Sequence, residues 1–193
     1  MALAFAAVLF GSLTFPILVV MSYGPLKGGA FGYGILEAAI GAGAMVGALA
    51  APTAMTRWRA GVLILMGVIG TGIAGALTGF SRSIPAAAIF LFISGAANTL
   101  YYVSLISVTQ REAPDRMLGR VMSTRFLLVQ LGLLGGMGLS GPLTDRLGAP
   151  LVFVLAGIML ICAGVAGFAF RDLREATFRK EPVPEPLKAA ASG

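Results

Sequence analysis

The sequence predicts an all-α membrane protein: six transmembrane helices set out as two inverted three-helix repeats. Three observations predict this. Hydrophobic residues make up 58% of the 193-residue chain and charged residues only 11%, with a mean hydropathy of +0.92. Soluble domains carry about 25% charge, so this chain has too few charges to cover a surface in water. Six apolar stretches reach the length of about 20 residues that a helix needs to cross a bilayer core. The Lys and Arg residues between those stretches fall mostly on alternate sides, as a chain that crosses repeatedly requires.

The stretches lie at about 1–21, 31–55, 61–80, 85–109, 118–140 and 150–170. The first is apolar except for Ser12 and Thr14. The second holds Glu37 and the spacing Gly43/Gly47. The third has only Thr71 and Thr78 in its body, and the sixth only Cys162. The fourth opens at Pro85 and carries Ser94, Asn98, Thr99, Tyr101, Tyr102, Ser104, Ser107 and Thr109. The fifth holds Ser123, Thr124, Arg125 and Gln130, with the spacing Gly132/Gly136. After Phe170 the sequence turns charged, then Pro-rich, then Ala/Ser/Gly, so residues 171–193 are expected to form a disordered cytoplasmic tail.

Orientation follows from the basic residues. Arg57, Arg59, Arg111, Arg116, Arg120, Arg125, Arg171, Arg174, Arg179, Lys180 and Lys188 share one side, against Lys27, Arg82 and Arg146 on the other. The eleven mark the cytoplasmic side of a plasma (inner) membrane. An even helix count then puts both ends of the membrane domain inside. Met1 leads straight into an apolar stretch with no basic segment before it, so no cleaved signal is expected.

Polar side chains at membrane depth face a bundle interior or a water-filled cavity. Helices one, two, four and five are therefore expected to line a cavity, and the nearly polar-free three and six to stand outside against lipid. That pattern recurs every three helices. The second helix ends in Pro52-Thr53-Ala54-Met55-Thr56-Arg57 and the fifth in Pro142-Leu143-Thr144-Asp145-Arg146, on opposite sides of the membrane, as an inverted repeat requires.

Several residues carry two readings. Glu37 is the only acid well inside an apolar run; it either carries a proton or meets a cationic substrate, or else snorkels to the interface. Asn98, Tyr101, Tyr102 and Gln130 either face a substrate or bond and pack between helices. Arg125 either snorkels or binds. Gly43, Gly47, Gly132 and Gly136 allow close helix packing. Asp145 and Arg146 read as a local ion pair in an external loop, or as part of a gate.

The run Gln110-Arg111-Glu112-Ala113-Pro114-Asp115-Arg116-Met117-Leu118-Gly119-Arg120-Val121-Met122-Ser123 resembles the loop between helices ten and eleven of major facilitator superfamily exporters. Gly141-Pro142-Leu143-Thr144-Asp145-Arg146-Leu147-Gly148 is similar to that superfamily's Gly-x-Leu-x-Asp-Arg-x-Gly signature, placed on the outer side as in the enterobactin-exporter-like and macrolide-efflux-like branch. Arg57-Trp58-Arg59 resembles its degenerate copy, without the Asp. The resemblance spans the membrane part as helices seven to twelve. It implies half of a major facilitator fold and proton-coupled efflux of a small molecule by alternating access. It assigns Arg57, Arg59, Gly119, Arg120, Gly141, Asp145, Arg146 and Gly148 to gating loops. The implied partners are membrane lipid, a small-molecule substrate, and a missing N-terminal six-helix half or a second copy; a start inside a helix points to truncation.

Other classes are disfavoured. With no histidine in the chain, His-based catalysis and His metal sites are absent, and no enzyme activity, cofactor or metal is expected. A paired-acid protease lacks its second acid. The basic residues lie between apolar runs and not along a polar face, which argues against nucleic acid. A six-helix channel would need Asn-Pro-Ala caps, and Asn98-Thr99-Leu100 is not one. A non-transporting membrane partner, or an inactive truncated fragment, stands as the alternative.

Overall fold

The computed structural model describes residues 8–9, 11–112 and 118–169, with the backbone alone at 111, 112, 118, 120, 121, 125, 168 and 169. The expected tail at 171–193 lies outside these residues. Every regular element described is a helix: α1 (Thr14–Tyr23), α2 (Gly29–Arg57), α3 (Ala60–Phe80), α4 (Ile84–Glu112), α5 (Leu118–Leu147) and α6 (Ala149–Ala169). Among the described residues, α2 to α6 are long and apolar enough to cross a membrane, and α1 is a shorter apolar helix. At 1.5 Å per residue, the 21 residues of α3 span about 30 Å, the thickness of a hydrocarbon core.

The helices run further than composition alone indicates. α2 carries Pro52 and still reaches Arg57. α5 carries Pro142 and reaches Leu147 rather than stopping at Ser140. Proline inside a membrane helix is tolerated because neighbours and local adjustment satisfy the freed carbonyl. Asp145 and Arg146 therefore sit in the last turn of α5 and not in a loop. Adjacent residues on a helix point to different sides, which disfavours the local ion pair.

Connections are tight. Gly148 alone joins α5 to α6. Its φ of +80° is a left-handed conformation open to glycine at little cost, and its N–H bonds the Thr144 carbonyl at 2.8 Å. The α1–α2 connection folds back on itself: the Gly28 N–H reaches the Ser22 carbonyl at 2.7 Å, and the Ser22 hydroxyl donates to the Gly29 carbonyl at 2.9 Å. Exposed aromatics mark the helix ends, with Tyr23, Phe31 and Phe80 at one end and Trp58 at the other. Such rings anchor at membrane interfaces.

Glycine sets the crossings. A Cβ on Gly43 would strike the Phe92 carbonyl of α4, one on Gly47 the Ala96 carbonyl, and one on Gly95 the Ile40 carbonyl of α2. The parallel pair α2–α4 thus interlocks backbone to backbone. A matching crossing joins α5 to the residues just before α1. A Cβ on Gly136 would meet Ser12 and the Leu9 carbonyl, and the Ser12 hydroxyl reaches the Gly132 carbonyl at 3.3 Å. The second helix of each triplet thereby packs on the first helix of the other, as an inverted repeat arranges it.

The expectation that α3 and α6 stand mostly in lipid is corrected. They pack closely on each other. A Cβ on Gly72 would lie 2.7 Å from the Gly157 carbonyl, and one on Gly79 2.6 Å from the Pro150 carbonyl. Of the most apolar window, 56% is buried in α3 and 39% in α6, against 22% in α2. Each keeps one exposed stripe, such as Met66, Ile73, Leu77 and Phe80 on α3. An apolar face suits lipid and a packed interior equally, so polarity alone does not separate the two. α5 is held differently: Gly132, Gly136 and Ser140 are buried, while Phe126, Leu127, Leu131 and Leu134 are exposed.

Candidate functional site

The helices frame a partly open cavity of about 360 Å³ lined by residues from all six, with Phe15, Asn98 and Tyr102 exposed. Its level is set by mid-helix positions: Val68, Thr71 and Gly75 of α3, Leu91 to Tyr102 of α4, and Phe153, Gly157 and Leu160 of α6. α1 contributes Thr14, Phe15 and Leu18, the residues just before it Ser12, α2 contributes Ile40 and Ala44, and α5 contributes Val129 and Leu133.

One end is sealed. A buried cluster of Ile17, Leu18, Met21, Leu26, Leu36, Leu91, Val152 and Phe153 closes the end at which α1 finishes and α2, α4 and α6 begin. Leu18, Leu91 and Phe153 belong to both seal and cavity wall. Toward the opposite end a second buried cluster of Ala60, Ile64, Val68, Tyr101, Val108 and Leu160 packs α3, α4 and α6 together, and a cleft between α4 and α5 is lined by Tyr102, Ile106, Met122, Ser123, Phe126, Leu127, Val129 and Gln130. Cleft and cavity share Tyr102 and Val129.

The wall is mainly apolar, and three of its polar residues are tied to nearby backbone. Thr14 donates to the Gly11 carbonyl at 2.7 Å, Thr71 to the Gly67 carbonyl at 2.8 Å, and Ser12 to the Leu9 carbonyl at 2.9 Å. Ser94 and Asn98, one turn apart on α4, face the cavity. Among the described residues no hydrogen bond occupies the Asn98 amide, which leaves two donors and an acceptor free.

The structure brings some of the sequence candidates together and separates others. Asn98, Tyr101 and Tyr102 line the cavity; Tyr101 is buried and Tyr102 half exposed. Gln130 lines the cleft. Glu37 lies outside the cavity wall, but it shares a helix face with Ile40 and Ala44, which belong to that wall. The Tyr33 hydroxyl donates to Glu37 Oε1 at 3.0 Å. Tyr33 was not singled out in the sequence; its four-residue spacing from Glu37 on one helix was the available signal. Gly75 and Gly157 were also missed, because glycine at a cavity wall looks like glycine at a crossing.

The loop candidates lie at the helix ends. Arg57 and Arg59 are exposed beside Trp58. Gly119 and Gly141 are exposed, and a Cβ on either would meet nothing within 4 Å. Asp145 and Arg146 are exposed in the last turn of α5. The side chains of Arg120 and Arg125 lie outside the described residues.

The transmembrane secretion effector family matches residues 1–191 of this chain. A relative from Sinorhizobium fredii, described as the uncharacterized MFS-type transporter y4rN, is 31% identical over 152 residues. The match covers 78% of this chain and 37% of the relative, so the matched part spans well under half the length of that protein. No solved structure matches. With helices that suit a bilayer and a match along nearly its whole length, this chain is a multi-pass integral membrane protein of the transmembrane secretion effector family, within the MFS-type transporters.

Proposed function

We propose that this chain forms the C-terminal half of an alternating-access transporter that exports a small molecule in exchange for protons. The observation that carries the reading is the mid-helix cavity, lined from all six helices and adjoining a cleft between α4 and α5. Secondary transporters bind substrate near the midplane and rock one bundle against another around that site.

The basic residues favour a cytoplasmic position for the end that carries the cleft between α4 and α5, which suits entry of substrate from inside. The exposed apolar faces of α2 and α5, with Met45, Val46 and Leu49 on one and Leu127, Leu131 and Leu134 on the other, suit a second six-helix unit. An N-terminal half or a second copy would complete the pathway. Glu37, paired with Tyr33 on the face that leads to the cavity, is the coupling candidate.

The test is flux of fluorescent amphiphiles in proteoliposomes under an imposed pH gradient. It is run with the chain alone and with an N-terminal six-helix half supplied. Gradient-dependent flux in either supports the reading. No flux in both leaves a non-transporting membrane partner or an inactive fragment.

A further inference from the structure

We infer that the α1–α2 connection is a lid on the outer end of the cavity: Leu26 plugs the buried cluster there, and glycines on both sides let the lid lift. The inference rests on the transport reading in taking the cavity for a path with an outer exit, but its test requires no flux.

The cluster at that end joins α1, α2, α4 and α6. Its helical members are hard to part. α2 and α4 interlock backbone to backbone at Gly43, Gly47 and Gly95, so separating them breaks a whole crossing. Among the described residues of the cluster, Leu26 alone stands outside a helix. It is buried, although Pro25 and Lys27 on either side are exposed. A leucine on a short connection can swing out of the cluster without moving a helix.

The chain around Leu26 suits such a swing. Gly24 precedes it, and Gly28 and Gly29 follow. Gly29 has a φ of +58° and Lys27 a φ of +49°. Glycine adopts this left-handed conformation at little cost, whereas a lysine is strained in it. Against that strain stand the burial of Leu26 and three hydrogen bonds. The Leu26 N–H donates to the Met21 carbonyl at 3.1 Å and the Gly28 N–H to the Ser22 carbonyl at 2.7 Å. The Ser22 hydroxyl donates to the Gly29 carbonyl at 2.9 Å. Gly28 also seats on α4, where a Cβ would strike Cδ1 of Ile84. Lifting the lid breaks these contacts and releases Lys27, so opposed terms set the balance between closed and open.

The rate at which a buried thiol reacts reads the lid. In a Cys162→Ser background, Leu36→Cys puts a thiol in the same cluster, about two turns into α2, at a fully buried position. Leu65→Cys puts one at a fully buried position of α3 outside that cluster, and it reports general loosening. The full chain in nanodiscs is treated with a charged methanethiosulfonate, and labelling is followed by mass. Gly29→Ala should speed labelling of Leu36→Cys by about five- to thirtyfold, the cost of a Cβ in the left-handed conformation. A Cβ there meets nothing within 4 Å, so the effect acts through the backbone alone. Leu26→Ala should speed it by at least about tenfold, the loss of a buried leucine side chain. Gly34→Ala, in open space within α2, should leave it unchanged. Leu65→Cys should keep one slow rate throughout.

An unchanged rate at Leu36→Cys in either lid variant overturns the inference, and so does an equal rise at Leu65→Cys. Lid-dependent labelling without gradient-driven flux would sink the transport reading and leave the lid standing. Flux with labelling that ignores both lid variants would do the reverse.

Discussion

Gly41 and Gly43 are two residues apart on α2, yet alanine at the two positions should act with opposite sign. At Gly43 a Cβ would lie 2.8 Å from the Phe92 carbonyl carbon and 3.0 Å from its Cα, closer still to the oxygen. Unstrained carbon contacts begin near 3.5 Å. The obstacle is backbone, which has no rotamer to change, so α4 must move off by roughly 1 Å. That movement loosens the neighbouring contacts of Gly47 with Ala96 and of Gly95 with Ile40. Overpacking of this kind costs about 1–3 kcal/mol. At Gly41 a Cβ meets nothing within 4 Å, and replacing a mid-helix glycine by alanine gains up to about 0.5–1 kcal/mol. Both variants share the alanine propensity gain, so they should differ by the overpacking cost, about 1–3 kcal/mol. Unfolding in mixed micelles with rising SDS, followed by far-UV circular dichroism, measures this difference. Equal stabilities for Gly41→Ala and Gly43→Ala would refute the argument that backbone contact at Gly43 holds α2 on α4.

Other outcomes follow from the same geometry. Gly148→Ala places a side chain at a φ of +80° and should cost about 1–2 kcal/mol in the same titration, while Gly141→Ala, in open space on α5, should cost nothing. Glu37→Gln should remove the response of flux to a pH gradient while leaving downhill exchange in place; flux that still follows the gradient would take Glu37 out of coupling. In a Cys162→Ser background, cysteine at Trp58 and cysteine at Arg82 should label from opposite faces of the membrane, Trp58 from the cytoplasm, and labelling from one face would contradict the orientation.

Much of this architecture is visible in the sequence, because a bilayer demands long apolar runs and places charge between them. Glu37, Asn98 and the glycine pair at 43 and 47 stand out because each is unusual at membrane depth. Other features are hidden for physical reasons. α3 and α6 read as lipid-facing because an apolar side chain is at ease in lipid and in a packed interior alike, whereas their glycines at 72, 79 and 157 fit backbone contact. The extension of α5 past Pro142 is hidden because proline usually ends helices in water and not in membranes. The Tyr33 partner of Glu37 depends on helical spacing and on a rotamer, and Gly75 joins the cavity wall only through the tertiary arrangement.

The claim that this cavity is the substrate path is tested most directly by plugging it. Gradient-driven efflux of N-phenyl-1-naphthylamine is measured in proteoliposomes holding the chain with its complementing six-helix unit, for the unaltered chain, Gly75→Leu and Gly34→Leu. A Cβ on either glycine meets nothing within 4 Å, but Gly75 lines the cavity and Gly34 does not. The account predicts that Gly75→Leu stops efflux and Gly34→Leu does not. Efflux that persists through Gly75→Leu would contradict it.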